Sequence, residues 1–144
     1  MRFLTRSMAG VAIACATVLS ATGTTAAADY PVKPIRVLVG FAPGGSADII
    51  ARAVGQKLAD AFKQPVVIDN RSGASGIIAT DLAAKANPDG YTLLEATMTT
   101  HGIGPHHYKK LPYDAVNDFE AVALMVRIPL VMFVHATVPA ANLN

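Results

Sequence analysis

The sequence predicts an α/β fold, a mostly parallel sheet flanked by helices, and three observations carry that prediction. Three short apolar runs, Ile35 to Val39, Val66 to Asp69 and Tyr91 to Ala96, alternate with two stretches of helical period, giving the order β-α-β-α-β. The runs are nearly continuous in apolar residues, the pattern of strands covered on both faces. Glycine-rich turns follow the first two runs and lead straight into the helical stretches, as short strand-to-helix connections do.

Each element has its own local cause. Tyr30-Pro31-Val32-Lys33-Pro34 is an extended lead-in, because two prolines forbid a helix there. Strand Ile35–Val39 follows. The first helix is expected from about Ala47 to Phe62, with Ile49, Ile50, Ala53, Val54, Leu58 and Phe62 forming one apolar stripe at three- and four-residue spacing. Arg52, Gln56, Lys57, Asp60 and Lys63 lie off that stripe and are expected to face water. Gln64-Pro65 stops the helix, and the second strand begins at Val66. Asn70 to Gly76 is a second glycine-rich turn, leading to a helix from about Ile77 to Lys85. Asn87-Pro88-Asp89-Gly90 is a strong turn signal before the third strand. Thr97 to Tyr113 reads as a polar loop or short helical piece. Phe119 to Val126 and Leu130 to His135 read as two further strands, split by Ile128-Pro129, and Val138-Pro139-Ala140 as the start of another helix.

The N-terminus has the pattern of a cleaved export signal. Arg2 and Arg6 precede an apolar run from Met8 to Leu19, and Ala26-Ala27-Ala28 offers a small-residue cleavage site. The run is short for a membrane span. Loss of residues 1–28 takes two of the twelve basic residues and none of the ten acidic ones, so ten of each remain and the formal charge is zero. No basic face is left to suggest a nucleic-acid partner. Cys15, the single cysteine, leaves with the signal. Ala12-Ile13-Ala14 is a poor lead-in for lipid attachment at Cys15, and the apolar run continues past it.

In open α/β sheets, ligands sit beyond the carboxyl ends of the strands. Three segments leave those ends here: Ala42 to Ala47, Arg71 to Gly76, and Thr97 to Gly102. The first passes through Pro43-Gly44-Gly45 to a helix opened by a Ser46 or Asp48 cap, which leaves backbone N–H groups free at a positive helix end. Such an end suits a small anion, above all a carboxylate. Asp48 would repel an anion, so it caps the helix, anchors the loop, or binds a ligand N–H or hydroxyl. Gly73, Ala74 and Gly76 let backbone approach a ligand in the second segment. Thr97, Thr99, Thr100 and His101 supply hydroxyls and an imidazole in the third.

Competing chemistries fit less well. The third spaced glycine of a dinucleotide fingerprint is missing, and no Gly-Lys-Ser/Thr follows, so no nucleotide cofactor is expected. Ile77 stands where a nucleophile elbow needs its second glycine, which disfavours a serine hydrolase. His101, His106 and His107, with Asp114 and Asp118, match no standard metal spacing, yet they define the alternative of a small metal-dependent enzyme. A small autonomous α/β interaction domain is a third class.

Several motifs occur together and in order: Tyr30-Pro31-x-Lys33-Pro34-Ile35-Arg36, Phe41-x-Pro43-Gly44-Gly45-x-x-Asp48, Gln64-Pro65-Val66-Val67, Asn70-Arg71-x-Gly73-Ala74-x-Gly76, Pro88-Asp89-Gly90-Tyr91-Thr92-Leu93 and Lys110-Leu111-Pro112-Tyr113-Asp114. Together they closely resemble the substrate-binding receptors of tripartite tricarboxylate transporters, the Bug receptors, across the whole chain after residue 28. The resemblance implies a periplasmic-binding-protein-like α/β lobe that closes with a second lobe on a small carboxylate and delivers it to membrane permease subunits, without enzymatic activity. It places the carboxylate on Ala42, Pro43, Gly44, Gly45, Ser46 and Asp48, with Thr97 to His101 as another ligand-facing segment. Ser72 stands where family members commonly have proline. By the same resemblance, residues 29–144 form the N-terminal portion of the first lobe and stop at the entry to the second, so a truncated, inactive remnant is the competing expectation.

Overall fold

The computed structural model describes residues 30–129, 131–135 and 137, and these fall, Tyr30 apart, in one compact unit beginning at Pro31. The expected export signal, the lipid-attachment question at Cys15 and the helix expected at Val138 lie outside the described residues.

Three parallel strands form the sheet: β1 (Ile35–Val39), β2 (Val66–Asn70) and β3 (Thr92–Glu95), in the spatial order β2-β1-β3. β1 is central because it is the most apolar. Ile35, Leu38 and Val39 are buried at 1% exposure or less. The register pairs Val39 with Asn70 on one side and with Glu95 on the other, so all three strands end along one edge.

Helix α1 (Ser46–Phe62) packs on β1 and β2, and α2 (Ile77–Ala84) on β1 and β3. Val37, Val39 and Ala51 form the core on the α1 side, with Ala47, Val66, Ile68 and Leu93 against them. Leu38, which alternates to the other face, is fully buried, as are Ala79 and Thr80 of α2.

The face of α1 differs from the expected stripe. Ile49, at 60% exposure, and Phe62 point outward, while Asp48, Ala51 and Gly55 are buried. Close packing is the reason: a Cβ on Gly55 would lie 3.1 Å from Ile68 Cδ1, so small residues mark the contact rather than large ones. Lys63, with φ of 54°, ends α1 in a left-handed turn before Gln64-Pro65.

Neither of the two strands expected after Phe119 forms among the described residues. Residues 119–129 and 131–135 carry no regular structure, and their apolar side chains are largely exposed. An apolar run becomes a strand only where a neighbour pairs its N–H and C=O groups, and the described residues offer these runs none. No helix among the described residues is long and apolar enough to cross a membrane.

Candidate functional site

The candidate site is the carboxyl edge of the sheet, where three connections are held against each other by missing side chains. A Cβ on Gly40 would stand 2.7 Å from Gly76 Cα, and one on Gly76, itself at φ of +91°, would stand 2.9 Å from Thr100 Cγ2. Gly40 belongs to the first connection, Gly76 to the second and Thr100 to the third. The backbone contact exists because neither glycine carries a side chain.

The first connection runs through Ala42, Pro43, Gly44, Gly45 and Ser46, all exposed at the edge. Gly45 N–H donates to Ala42 C=O at 3.3 Å, closing a turn. Gly45 is the N-cap of α1 and no side chain caps the helix, so neither Ser46 nor Asp48 takes the capping role. The helical ladder starts with Ile49 N–H to Gly45 C=O at 3.0 Å. The N–H groups of Ser46, Ala47 and Asp48 therefore precede the ladder, at the positive end of a 17-residue helix.

Asp48 is committed to the loop. At 3% exposure it accepts Gly44 N–H at 2.8 Å and Arg52 Nε–H at 3.0 Å on Oδ2. Its Oδ1 takes Asn70 Nδ2 at 3.0 Å and pairs with the Arg52 guanidinium at 2.9 Å. Four donors fill its four acceptor positions, which leaves none for a ligand. The Arg52 guanidinium, followed by the Gly44 N–H, holds the Asp48 carboxyl well below the usual range, at about 2. Asn70 also donates to Phe41 C=O at 3.1 Å, tying the end of β2 to the start of the first connection. Arg52, expected only to face water, thus braces the loop through Asp48 and through Asn70 Oδ1 at 3.1 Å.

In the second connection Gly73 and Ala74 are exposed and Gly76 is buried. Ala74 and Ser75 both take positive φ, 47° and 55°, a costly pair for non-glycine residues. The third connection is a π-helical turn, Met98–Ile103, continued by the short α3, Gly104–His107. Thr97 caps it. Its N–H donates to Thr100 Oγ1 at 3.2 Å. Thr100 is buried and faces inward: its C=O accepts the Tyr113 hydroxyl at 2.9 Å, and its Oγ1 lies 2.9 Å from His101 Nδ1. Thr97 and Thr99 are half-buried. His101 is half-buried too, edge-on to Phe119 with ring centroids 4.9 Å apart, and burial lowers its pKa, so the ring is held towards the neutral form. The expected hydroxyl row is therefore split. Thr100 belongs to the scaffold, with Thr97, Thr99 and His101 nearer the surface.

His106 and His107 sit on α3, and among the described residues no three His, Cys, Asp or Glu side chains gather to hold a metal. Sequence reasoning missed four groups at this edge: Gly40, Arg52, Asn70 and Glu95. Glu95, the last residue of β3, has Oε2 buried without a hydrogen-bond partner among the described residues. Burial pushes its carboxyl up to about 7. The signal was a charged residue ending an apolar strand.

Comparison with known proteins adds a family to this geometry. Residues 50–144 match the family described as tripartite tricarboxylate transporter family receptor. Protein BugT of Bordetella pertussis is 36% identical over 142 residues, which cover 98% of this chain and 43% of BugT. A UPF0065 protein of Bordetella bronchiseptica is 43% identical over 115 residues, 80% of this chain and 34% of that protein. Among solved structures, MatC from Rhodopseudomonas palustris with bound malate is 40% identical with a TM-score of 0.64, over 67% of this chain and 33% of MatC. The periplasmic binding protein BugD is 34% identical with a TM-score of 0.58, over 63% of this chain and 30% of BugD. An R. palustris protein solved with adipate is 38% identical with a TM-score of 0.59, over 60% of this chain and 29% of that protein. The chain thus spans about two fifths of the length of curated relatives such as BugT. On the family match and on these shared sequences, the chain belongs to the tripartite tricarboxylate transporter receptor family.

Proposed function

We propose that this chain supplies the carboxylate-holding part of the first lobe of a periplasmic solute receptor. The receptor delivers its ligand to the membrane permease subunits of a tripartite transporter and carries out no chemistry on it. The observation that carries the reading is the open N-terminus of α1, with the N–H groups of Ser46, Ala47 and Asp48 ahead of the helical ladder at the strand edge. A carboxylate there accepts backbone N–H bonds and meets the positive end of the helix dipole, a small anion's natural seat. Asp48 does not oppose it, since its charge is spent on Arg52, Gly44 and Asn70.

Malate and adipate, bound in the two R. palustris relatives, are dicarboxylates, which makes this ligand class the first to test. The ligand touches the exposed backbone of Ala42, Pro43, Gly44, Gly45 and Ser46, with Thr97, Thr99 and His101 facing it from the third connection. A thermal-shift screen of the purified chain against mono-, di- and tricarboxylates tests the reading, because a ligand of the folded state raises the melting temperature by mass action. A cooperative melt that no carboxylate moves, at concentrations up to about 10 mM, overturns it and favours an interaction domain.

A further inference from the structure

We propose that His101 is a specificity-determining residue of this site: its Nε2–H donates to the second carboxylate of a dicarboxylate whose first carboxylate sits on the N–H groups that open α1. The inference rests on the carboxylate reading above and deepens it, by giving the ligand two anionic groups and naming what holds the second.

Position comes first. Gly76 touches both the first and the third connection: a Cβ built on it would stand 3.7 Å from the Phe41 ring and 2.9 Å from Thr100 Cγ2. His101 is the next residue after Thr100, on the π-helical turn Met98–Ile103. Turns of that kind are rare, and they recur at functional sites. The ring is fixed by three neighbours. Nδ1 lies 2.9 Å from Thr100 Oγ1, Phe119 meets the ring edge-on with centroids 4.9 Å apart, and Tyr113 stacks at 6.2 Å. Nε2 has no partner among the described residues. The buried side-chain atoms left unpaired among those residues are Asp81 Oδ1 and Glu95 Oε2, so Nε2 keeps accessible surface. A ring held this firmly, with one nitrogen used and the other open and unpartnered, is preorganised for a group the chain does not itself supply.

The hydrogen bonds of Thr100 decide what Nε2 offers. Burial holds the imidazole towards its neutral form, in which one nitrogen carries a proton and the other a lone pair. The Thr100 hydroxyl has a single proton, with His101 Nδ1 at 2.9 Å and Thr97 C=O at 3.2 Å as acceptors. The imidazole nitrogen is the nearer, and on that distance the proton is assigned to it. A lone pair of Oγ1 takes the Thr97 N–H at 3.2 Å. Nδ1 is then the acceptor, and Nε2 carries the ring proton on its open side. A donor at an anion site suits a carboxylate oxygen, and hydrogen bonds to an ionised acceptor are the stronger ones. The α1 N–H groups belong to the first connection and His101 to the third, with Gly76 touching both. Two separate donor sets suit the two ends of a dicarboxylate better than the two oxygens of one group.

The test is calorimetry on the purified chain at pH 7 with malate and with 2-hydroxybutyrate, in which a methyl replaces one carboxylate of malate. Malate is expected to bind at least about tenfold more tightly, the worth of one hydrogen bond to a charged group. His101→Leu removes the donor, and the ratio of the two affinities is expected to fall about tenfold. A purely structural role for His101 would weaken both ligands together and leave that ratio unchanged. Equal affinities in the native chain, or a ratio that His101→Leu retains, overturn the proposal and leave the carboxylate reading standing. A cooperative melt with neither ligand binding overturns the carboxylate reading, and this proposal with it. Nitrogen NMR of His101 in the native chain serves should His101→Leu not fold. The expected spectrum has the proton on Nε2 and an Nε2 signal that malate shifts and 2-hydroxybutyrate does not. A proton on Nδ1, or an Nε2 signal that saturating malate leaves in place, counts against donation.

Discussion

Asp48 and Glu95 stand at the same sheet edge and titrate in opposite directions, because hydrogen-bond donors hold the Asp48 charge while burial disfavours a charge on Glu95. Asp48 is held down to about 2 by Arg52 and the Gly44 N–H. A depressed carboxyl stabilises the fold above its ordinary value of 3.8, and that contribution is lost as the pH falls towards 2. Asp48→Asn is accordingly expected to lower the melting temperature at pH 7 and to flatten the acid limb of the stability curve, read by thermal melts from about pH 2 to 7. An unchanged acid limb would show that Asp48 does not hold the loop. Glu95 runs the other way. Its pKa is raised, so its contribution is complete below the ordinary value of 4.5 and is lost as the pH rises through about 7. Glu95→Gln should remove that neutral-range loss, and a variant as pH-sensitive as the parent refutes the assignment. The sequence made half of this site legible. Pro43-Gly44-Gly45 before a helical stretch announces open N–H groups from local chemistry alone. The partners of Asp48 were hidden, since Asn70 is 22 residues away and only the parallel register of β1 and β2 brings it there. Ser46 looked like a cap by residue type, yet Gly45 takes the position and the helix end stays open.

At the scale of elements, the sheet edge depends on backbone contact between Gly40 and Gly76 and on the Thr100 methyl against Gly76. Gly76→Ala adds a Cβ 2.9 Å from Thr100 Cγ2 in a backbone of positive φ. The expected cost is about 1–3 kcal/mol, measured by denaturant unfolding, with carboxylate affinity reduced as the three connections separate. A variant as stable as the parent would show that the connections move independently. The β-α-β-α-β core was readable because each strand and helix is announced locally, by an apolar run, a proline stop or a glycine turn. The inward face of α1 was not, because Ala47, Ala51 and Gly55 carry too little hydrophobicity to mark a stripe, and only the closeness of β2 selects them. The runs at 119–126 and 130–135 show the converse limit. Their composition is that of strands, but pairing is a property of the neighbour.

On the scale of the whole molecule, apolar surface lies open. Val122 is 81% exposed and Phe133 87%, with Leu124, Ile128, Val131 and Met132 also outside. β2 and β3 are edge strands, each paired on one side only among the described residues. Exposed apolar runs of strand-like composition beside open strand edges favour pairing between copies. The chain's twelve basic and ten acidic residues give a net charge of only +2, or zero without residues 1–28, so charge repulsion does little to oppose it. The purified chain is expected to show an apparent mass by light scattering that rises with concentration. The double variant Val122→Lys, Phe133→Lys places two charges on that surface and should keep the chain monomeric. Both side chains are largely exposed, so the melting temperature should move little, since substitutions at such positions usually change stability by less than about 0.5 kcal/mol. A parent chain that stays monomeric at all concentrations would mean that these residues find cover within a single copy. If the double variant associates as readily as the parent, the contact lies elsewhere, and the open edges of β2 and β3 become the surfaces to block next, by a proline or lysine at an outward position of each strand.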